Sequence, residues 1–377
     1  MDFRFSEEQV LLRDTLKRFV HDHYTFEHRR RIIDSPEGYS REHWRRFAEL
    51  GWLGIPFSED DGGLGGSMVD VMIVMEEFGR GLVVEPYLAN IVLAGGILRS
   101  VASESQRRAL LPPLIEGSLM MSLAYAEPIG RYLLREVRTT AERNSDGFAI
   151  NGHKAVALNG AGADKFIVSA RTSGTTAQAE GITLFVVDGE AAGLSRRGYS
   201  TVDGFRAADI RLNNVQVAES AVLGALGEGL APLRAAIDDA IVAVGAEGAG
   251  VMDFLIKATV EHTKTRKQFG VPIASFQVLQ HRMVDMFIEC EQTISLLYRA
   301  AMMSARGGLE AQRAASVLKI QLGKAARNVG QQAVQLQGAM GMADEVATSH
   351  YFKRLSMIGQ QFGNADFHAD RYTALDA

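Results

Sequence analysis

The stretch His262-Thr263-Lys264-Thr265-Arg266-Lys267-Gln268-Phe269-Gly270-Val271-Pro272-Ile273, followed by Phe276-Gln277, decides how the chain folds. It reads as the basic end of one helix, a turn at Gly270-Val271-Pro272 and the start of a second helix. Cationic side chains at a helix C-terminus complement the macrodipole, and glycine followed by proline halts the helix. That accounts for the basic residues and for Gly270. It does not account for the whole string Arg-x-x-Phe-Gly-x-Pro-Ile-x-x-Phe-Gln.

Downstream of the string, Phe276, Leu279, Met283, Met286, Cys290, Ile294, Leu297 and Ala301 follow at spacings of 3, 4, 3, 4, 4, 3 and 4. Beyond the break at Gly307-Gly308, a second seam of Leu318, Leu322, Ala325, Val329, Ala333 and Leu336 repeats at 4, 3, 4, 4 and 3. Such sustained seams predict long helices packed at shallow angles in a four-helix bundle. Upstream, residues 121–220 change texture. Met121–Ala126, Phe148–Asn151, Phe166–Ala170, Ile182–Asp188 and Ile210–Val217 are short β-branched and aromatic runs between turn-forming residues. With no long helices between them, they predict an antiparallel sheet or barrel rather than a parallel array.

Further upstream the pattern is helical again. Ser6 and Gln9 form a capping-box pair, and helices are expected at His43–Leu50, Met68–Gly79, Tyr87–Ser100 and Ser103–Leu111, the last stopped by Pro112-Pro113. Pro56–Ser67 reads as a loop. The expected fold is α+β: an N-terminal helical domain (1–120), a middle antiparallel β-barrel domain (121–222) and a C-terminal four-helix bundle (223–377).

Composition bounds the rest. A chain of 377 residues with 40 basic and 45 acidic side chains lacks the concentrated positive charge that nucleic-acid binding requires. A single cysteine, Cys290, excludes an internal disulfide framework. The opening residues Met1 to Glu8 show no basic stretch leading into an apolar one, and the longest clean apolar run, Ile91–Leu98, is too short to span a bilayer. A cytoplasmic protein without a membrane span is expected. His21, His23 and His28 sit among arginines and read as a solvated helix end rather than metal ligands, so no metal site is expected. There is no dinucleotide-binding G-x-G-x-x-G after a strand, no P-loop and no G-x-S-x-G elbow.

The string around Arg266 resembles the R-x-x-F-G-x-x-I-x-x-x-Q signature of the flavin-dependent acyl-CoA dehydrogenases. Two further stretches agree in order and spacing: Glu127-Pro128 with Ile150-Asn151-Gly152-x-Lys154, and Gln335-Leu336-Gln337-Gly338-Ala339-Met340-Gly341. The resemblance covers essentially the whole chain. In texture, including His350-Tyr351-Phe352-Lys353-Arg354-Leu355, the sequence resembles the small subunit of pimeloyl-CoA dehydrogenase.

The resemblance implies FAD held between the β domain and the bundle, with its dinucleotide reaching a neighbouring subunit. Arg266 and Phe269 match residues that meet the dinucleotide across that interface, and Gln277 lies beside them. Gln335, Gly338 and Ala339 match the loop that closes on the same moiety. Tyr125, Ala126 and Leu158 match positions beside the flavin ring, and Asp238 matches a carboxylate near the CoA arm. The implied reaction is α,β-dehydrogenation of an acyl-CoA thioester, with a carboxylate taking the α proton.

At the family's usual glutamate position this chain has Gly363, and at the alternative position it has Ala240. Ala126, Leu158, Val156 and Ile241 replace two hydroxyls, a stacking tryptophan and a CoA-contacting arginine. Asp239, next to Ala240, and Glu247, two helical turns beyond it in an apolar run, are the candidate substitute bases. The leading expectation is therefore one subunit of a heteromeric α2β2-type dehydrogenase, with an electron-transfer flavoprotein as electron acceptor. The alternatives are a self-sufficient homo-oligomeric dehydrogenase with a relocated base, a non-catalytic flavin- or acyl-CoA-binding assembly subunit, or a flavin monooxygenase on the same fold.

Overall fold

A computed structural model describes residues 4–376. Met1, Asp2 and Phe3, which open the stretch searched for an export signal, lie outside the described residues. The chain begins with helices α1 (Glu7–His23), α2 (Phe26–Ile33), α3 (Arg41–Glu49) and α4 (Met68–Gly81). A π-helical segment, Leu88–Gly95, runs into α5 (Gly96–Val101), and α6 (Glu104–Ile115) follows. The expected capping box opens α1: Ser6 Oγ accepts from the Gln9 N–H, and Gln9 Oε1 accepts from the Ser6 N–H.

Helix α6 does not stop at Pro112-Pro113 as its sequence suggested. Both prolines lie in its last turn, where the two N–H bonds they remove are lost just before the helix ends at Ile115. Leu111 and Leu114, buried on either side of the pair, anchor that turn.

The β region comprises β1 (Met121–Ala124), β2 (Thr140–Asn144), β3 (Gly147–Leu158), β4 (Lys165–Arg171), β5 (Ile182–Asp188), β6 (Leu194–Ser200), β7 (Arg206–Ala218) and β8 (Val222–Leu223). They pair in the order β6-β7-β3-β2-β4-β5-β8, with β1 also beside β4. Most pairings are antiparallel as expected, but β1 and β2 run parallel to β4. Phe148, Phe166, Phe185, Ile150, Val168 and Val187 fill the interior. Strands β2 and β6 escaped the sequence reading because most of their residues are exposed and polar, which suits β6 to its place at the sheet edge.

The remaining elements are α7 (Leu230–Thr265), the short strands β9 (Lys267–Gln268) and β10 (Val271–Pro272), and helices α8 (Gln277–Ser304), α9 (Gly308–Gln337), α10 (Ala347–Gln360) and α11 (Ala365–Asp376). The fold is thus helical, then β-sheet, then helical. By contacts the chain divides into two compact units. One takes residues up to Arg31, Met68–Val83 and Ile241 onward; the other takes Ile32–Ser67 and Val84–Ala240.

In the first unit, α9 packs against α8, α10 and α11. The small residues after Ala240 serve close packing. A Cβ on Gly250 would lie 2.0 Å from Glu76 O, and one on Gly79 would lie 2.0 Å from Glu247 O, so α4 and α7 meet backbone to backbone. Gly245 and Gly248 instead make room for the side chains of Leu318 and Leu322 of α9. Among the described residues no helix is long and apolar enough to cross a membrane.

Candidate functional site

The decisive string forms a hairpin rather than a simple turn. Strands β9 and β10 pair Gln268 with Val271 and Lys267 with Pro272, leaving Phe269-Gly270 as the two-residue loop. Both loop residues have positive φ, 53° and 80°. Tight hairpins favour such turns, which normally carry Asn-Gly or Asp-Gly. A left-handed L-residue costs roughly 1–2 kcal/mol. Phe269 also leaves its ring 91% exposed, touching Phe276 edge-on at 6.1 Å. The residue thus combines an unfavourable backbone conformation with an exposed aromatic ring. Arg266 stands exposed at the mouth of the hairpin, its carbonyl accepting from the Ile273 N–H at 2.8 Å, and Gln277 opens α8 beside it.

Replacing Phe269 with Asn, which suits this turn, is expected to raise unfolding stability by about 1 kcal/mol. The same change is expected to weaken flavin retention. Thermal unfolding and the flavin content of the purified protein check both outcomes.

Gln335, Gly338 and Ala339 come together at the end of α9. The Gly338 N–H donates to Gln335 O, and Gly338 adopts φ 67°, ψ −148°, a conformation open essentially to glycine alone. No atom lies within 4 Å of where a Cβ on Gly338 would stand, and Ala339 beside it is exposed. The turn therefore leaves its outer side open to an approaching group.

The β unit brings Tyr125, Ala126 and Leu158 together. The Ala155 N–H donates to Ala126 O at 2.8 Å, Lys154 Nζ donates to Tyr125 O at 3.3 Å, and Ser122 Oγ donates to Leu158 O at 2.7 Å. Beneath them, two separated sequence motifs prove to be one buried cluster. Lys154 Nζ pairs with Glu127 Oε1 at 2.7 Å and donates to Ser169 Oγ, while Glu127 accepts from the backbone of Arg138 and Thr139 and from the Thr139 hydroxyl. Burial pushes Lys154 down to about 8, against the pull of Glu127. Burial would raise Glu127, but the Lys154 ammonium and the Thr139 bonds outweigh it and hold the carboxyl below its usual range. These residues shape the segment between β1 and β2.

Neither substitute carboxylate is free. Glu247 is clamped by Arg354, with Nε to Oε1 and Nη2 to Oε2 both at 2.5 Å and both side chains almost wholly buried. The apolar run around it, read as a setting for a base, instead encloses a bidentate ion pair; lone pairs engaged this way are not offered to a substrate proton. Asp239 lies 3.5 Å from the Arg99 guanidinium, which also donates to Pro56 O. Asp238 is buried.

Gly363 is buried at φ 114°, and a Cβ there would fall 2.5 Å from Phe367 Cδ1 and 2.6 Å from His368 Nε2. His368 bridges Phe362 O and Ser316 Oγ, and burial pushes it down to about 3. Below, fully buried Lys319 donates to the carbonyls of Ile358 and Gly359 at the end of α10, and burial pushes it down to about 7. Sequence reasoning passed over Lys319, Arg354 and His368. Lys319 did leave a signal: it stands three residues before Leu322 and four after Ala315, on the apolar seam of α9.

Family models for the acyl-CoA dehydrogenase N-terminal, middle and C-terminal domains match residues 6–118, 122–215 and 227–370. The chain is 28% identical to a probable acyl-CoA dehydrogenase, YngJ, of Bacillus subtilis, over 96% of each. It is 30% identical to the mitochondrial isovaleryl-CoA dehydrogenase of Solanum tuberosum, over 82% of this chain and 76% of that one. Among solved structures, a variant of the Tcur3481-Tcur3483 steroid ACAD superposes with TM-score 0.88 at 28% identity, over 98% of both chains. Butyryl-CoA dehydrogenase of Megasphaera elsdenii shares the fold at TM-score 0.91 and 24% identity, over 99% of both. With all three family domains in order along one chain, this protein belongs to the acyl-CoA dehydrogenase family.

Proposed function

We propose that this chain is the base-deficient subunit of a heteromeric acyl-CoA dehydrogenase, completing an FAD site with a related chain that carries the glutamate. The observation that carries this reading is a contrast within one polypeptide. The exposed edge at Arg266, Phe269 and Gly338 is kept at the cost of backbone strain. The Gly363 slot, by contrast, is closed by Phe367 and His368. A chain that had merely lost function would have no reason to keep a left-handed, solvent-exposed phenylalanine.

FAD fits the residues present at its dinucleotide end. Arg266 would supply a permanent charge and a fork of donors to the pyrophosphate, and the open turn at Gly338 would let it approach the backbone closely. Gln277, Gln335 and Ala339 would border the same moiety. At the ring end, Tyr125, Ala126 and Leu158 would offer backbone and aliphatic surface without hydroxyls. When bound, FAD supplies the acceptor for the substrate's β hydrogen. Asp238 would face the CoA arm.

The substrate class proposed is a large or carboxylated acyl-CoA, of dicarboxylic or steroid-derived type, with an electron-transfer flavoprotein as oxidant of the reduced cofactor. The similarity in texture to a pimeloyl-CoA dehydrogenase small subunit supports this, as does the likeness to a steroid ACAD. The division at 1–120, 121–222 and 223–377 is retained as the domain scheme. A self-sufficient enzyme using Asp239 or Glu247 is disfavoured by their pairing with Arg99 and Arg354.

Co-expression with an encoded relative bearing an intact Tyr-Glu-Gly-Thr loop tests the proposal. A yellow complex of the two chains is expected, with dehydrogenase activity that neither chain shows alone. Full activity from this chain by itself would refute it.

A further inference from the structure

Strand β3 contains one backbone feature that its sequence, Lys154-Ala155-Val156-Ala157-Leu158, does not announce. Lys154 pairs with Ile210 and Ala157 with Ala208, so Ala155 and Val156 together face the single residue Asp209. This is a β-bulge, and its second residue, Val156, sits at φ 54° with its side chain 48% exposed. A β-branched residue in the left-handed region is a genuine outlier; glycine adopts that conformation without penalty. Such strain persists only where surrounding groups enforce it.

A backbone hydrogen bond and a clasp of side chains do the enforcing. The bulge takes two N–H groups out of the β3–β7 ladder. That of Ala155 crosses to Ala126 O at 2.8 Å, and that of Val156 faces the Asp209 carboxylate and helps hold it below its usual range. Asp209 is itself gripped by the Arg197 guanidinium at 2.9 Å and the Tyr199 hydroxyl at 3.3 Å. The strained residue is thus tied on one side to the Ala126 segment and on the other to a three-residue clasp from β6 and β7. We infer that Asp209, with Arg197 and Tyr199, is a positioning residue that presents the Val156 bulge and the attached Ala126 backbone as an aliphatic wall to the flavin ring.

This rests on the proposed FAD binding and adds to it a residue that acts through the backbone of the wall. The wall is made of backbone and a valine instead of hydroxyls and an indole, so its shape depends on the clasp more than on any side chain of its own. Asp209→Ala, measured in the FAD-loaded protein, alone or with its partner chain, is expected to raise the FAD dissociation constant about tenfold, roughly one charge-assisted hydrogen bond. It is also expected to shift the flavin absorbance maximum and reduction potential. In the FAD-free chain it should speed hydrogen exchange at the Val156 amide.

Adding Val156→Gly to Asp209→Ala should restore the dissociation constant, because glycine holds the left-handed conformation without a clasp. Asp209→Asn, which keeps shape and an acceptor oxygen, should fall between and covers the case in which the alanine variant does not fold. A purely structural role would lower thermal stability while leaving the potential unchanged and giving glycine no power of rescue. Unchanged FAD affinity and potential in Asp209→Ala or Asp209→Asn would overturn the inference while leaving flavin binding intact. Absence of FAD from the wild-type protein, alone and in complex, would overturn both.

Discussion

Replacing Arg354 with methionine is expected to lower the unfolding free energy by about 3–5 kcal/mol, the range seen when one partner of a buried ion pair is removed. The pair is enclosed by small residues of α7 and by α4 and α9, so Glu247 would be left without water or a replacement donor. Glu247→Gln alone should also destabilise, since the guanidinium then loses its counter-charge. The double variant Glu247→Gln/Arg354→Met should recover more than half of the loss, because it buries no net charge. Chemical denaturation of the four proteins gives this cycle directly. The result also bears on chemistry: a catalytic Glu247 would make Glu247→Gln a stable protein that cannot abstract a proton. The ion pair predicts an unstable protein with little change in flavin chemistry.

The second large effect is a pH dependence centred on the loop after α10. Stability rises with pH wherever the unfolded chain binds more protons than the native one. Between about 7 and 10.5 native Lys319 is neutral while an unfolded lysine is charged, so stability gained there is lost as pH falls back through 7. Lys154 acts in the same sense from about 8 upward. Between about 3 and 6.5 buried His368 stays neutral while an unfolded histidine protonates, which removes stability again on acidification. Tyr125 and Tyr351, pushed up by burial, oppose the trend only above about 10.

Where the two states differ by one bound proton, stability changes by about 1.4 kcal/mol for each pH step of one. The gain expected between pH 5 and pH 9 is therefore several kcal/mol. Lys319→Met should flatten the alkaline half, leaving the part due to Lys154. His368→Asn should flatten the acid half. Denaturation midpoints at pH 5, 6, 7, 8 and 9 for the three proteins check the signs separately.

The long helices were legible because their apolar residues recur at helical spacing over many turns. Met286, Cys290 and Leu297 of one seam and all six residues of the other are buried. The β region was legible only where a strand is apolar. Strand β5 was read to the residue, while β2 and β6 were hidden by their exposed charges. The Arg266 string announced the binding edge, yet the strain at Phe269 is a property of a hairpin that no residue type specifies. Partners far apart in sequence were the least legible. Glu247 and Arg354 are 107 positions apart, and nothing in the apolar run 245–250 says that an arginine fills the gap. Asp209 reveals its role only through a bulge that shifts the register of β3 against β7.

The most direct measurement of the central claim is an anaerobic titration of flavin absorbance with saturated acyl-CoA thioesters, including pimeloyl-CoA and a steroid side-chain CoA ester. It is run on this chain reconstituted with FAD and on its complex with the glutamate-bearing chain. A base-deficient subunit predicts that the complex bleaches with at least one thioester while the chain alone keeps its oxidised spectrum with all of them. Bleaching of the chain alone, abolished by Asp239→Asn or Glu247→Gln with flavin retained, would contradict it.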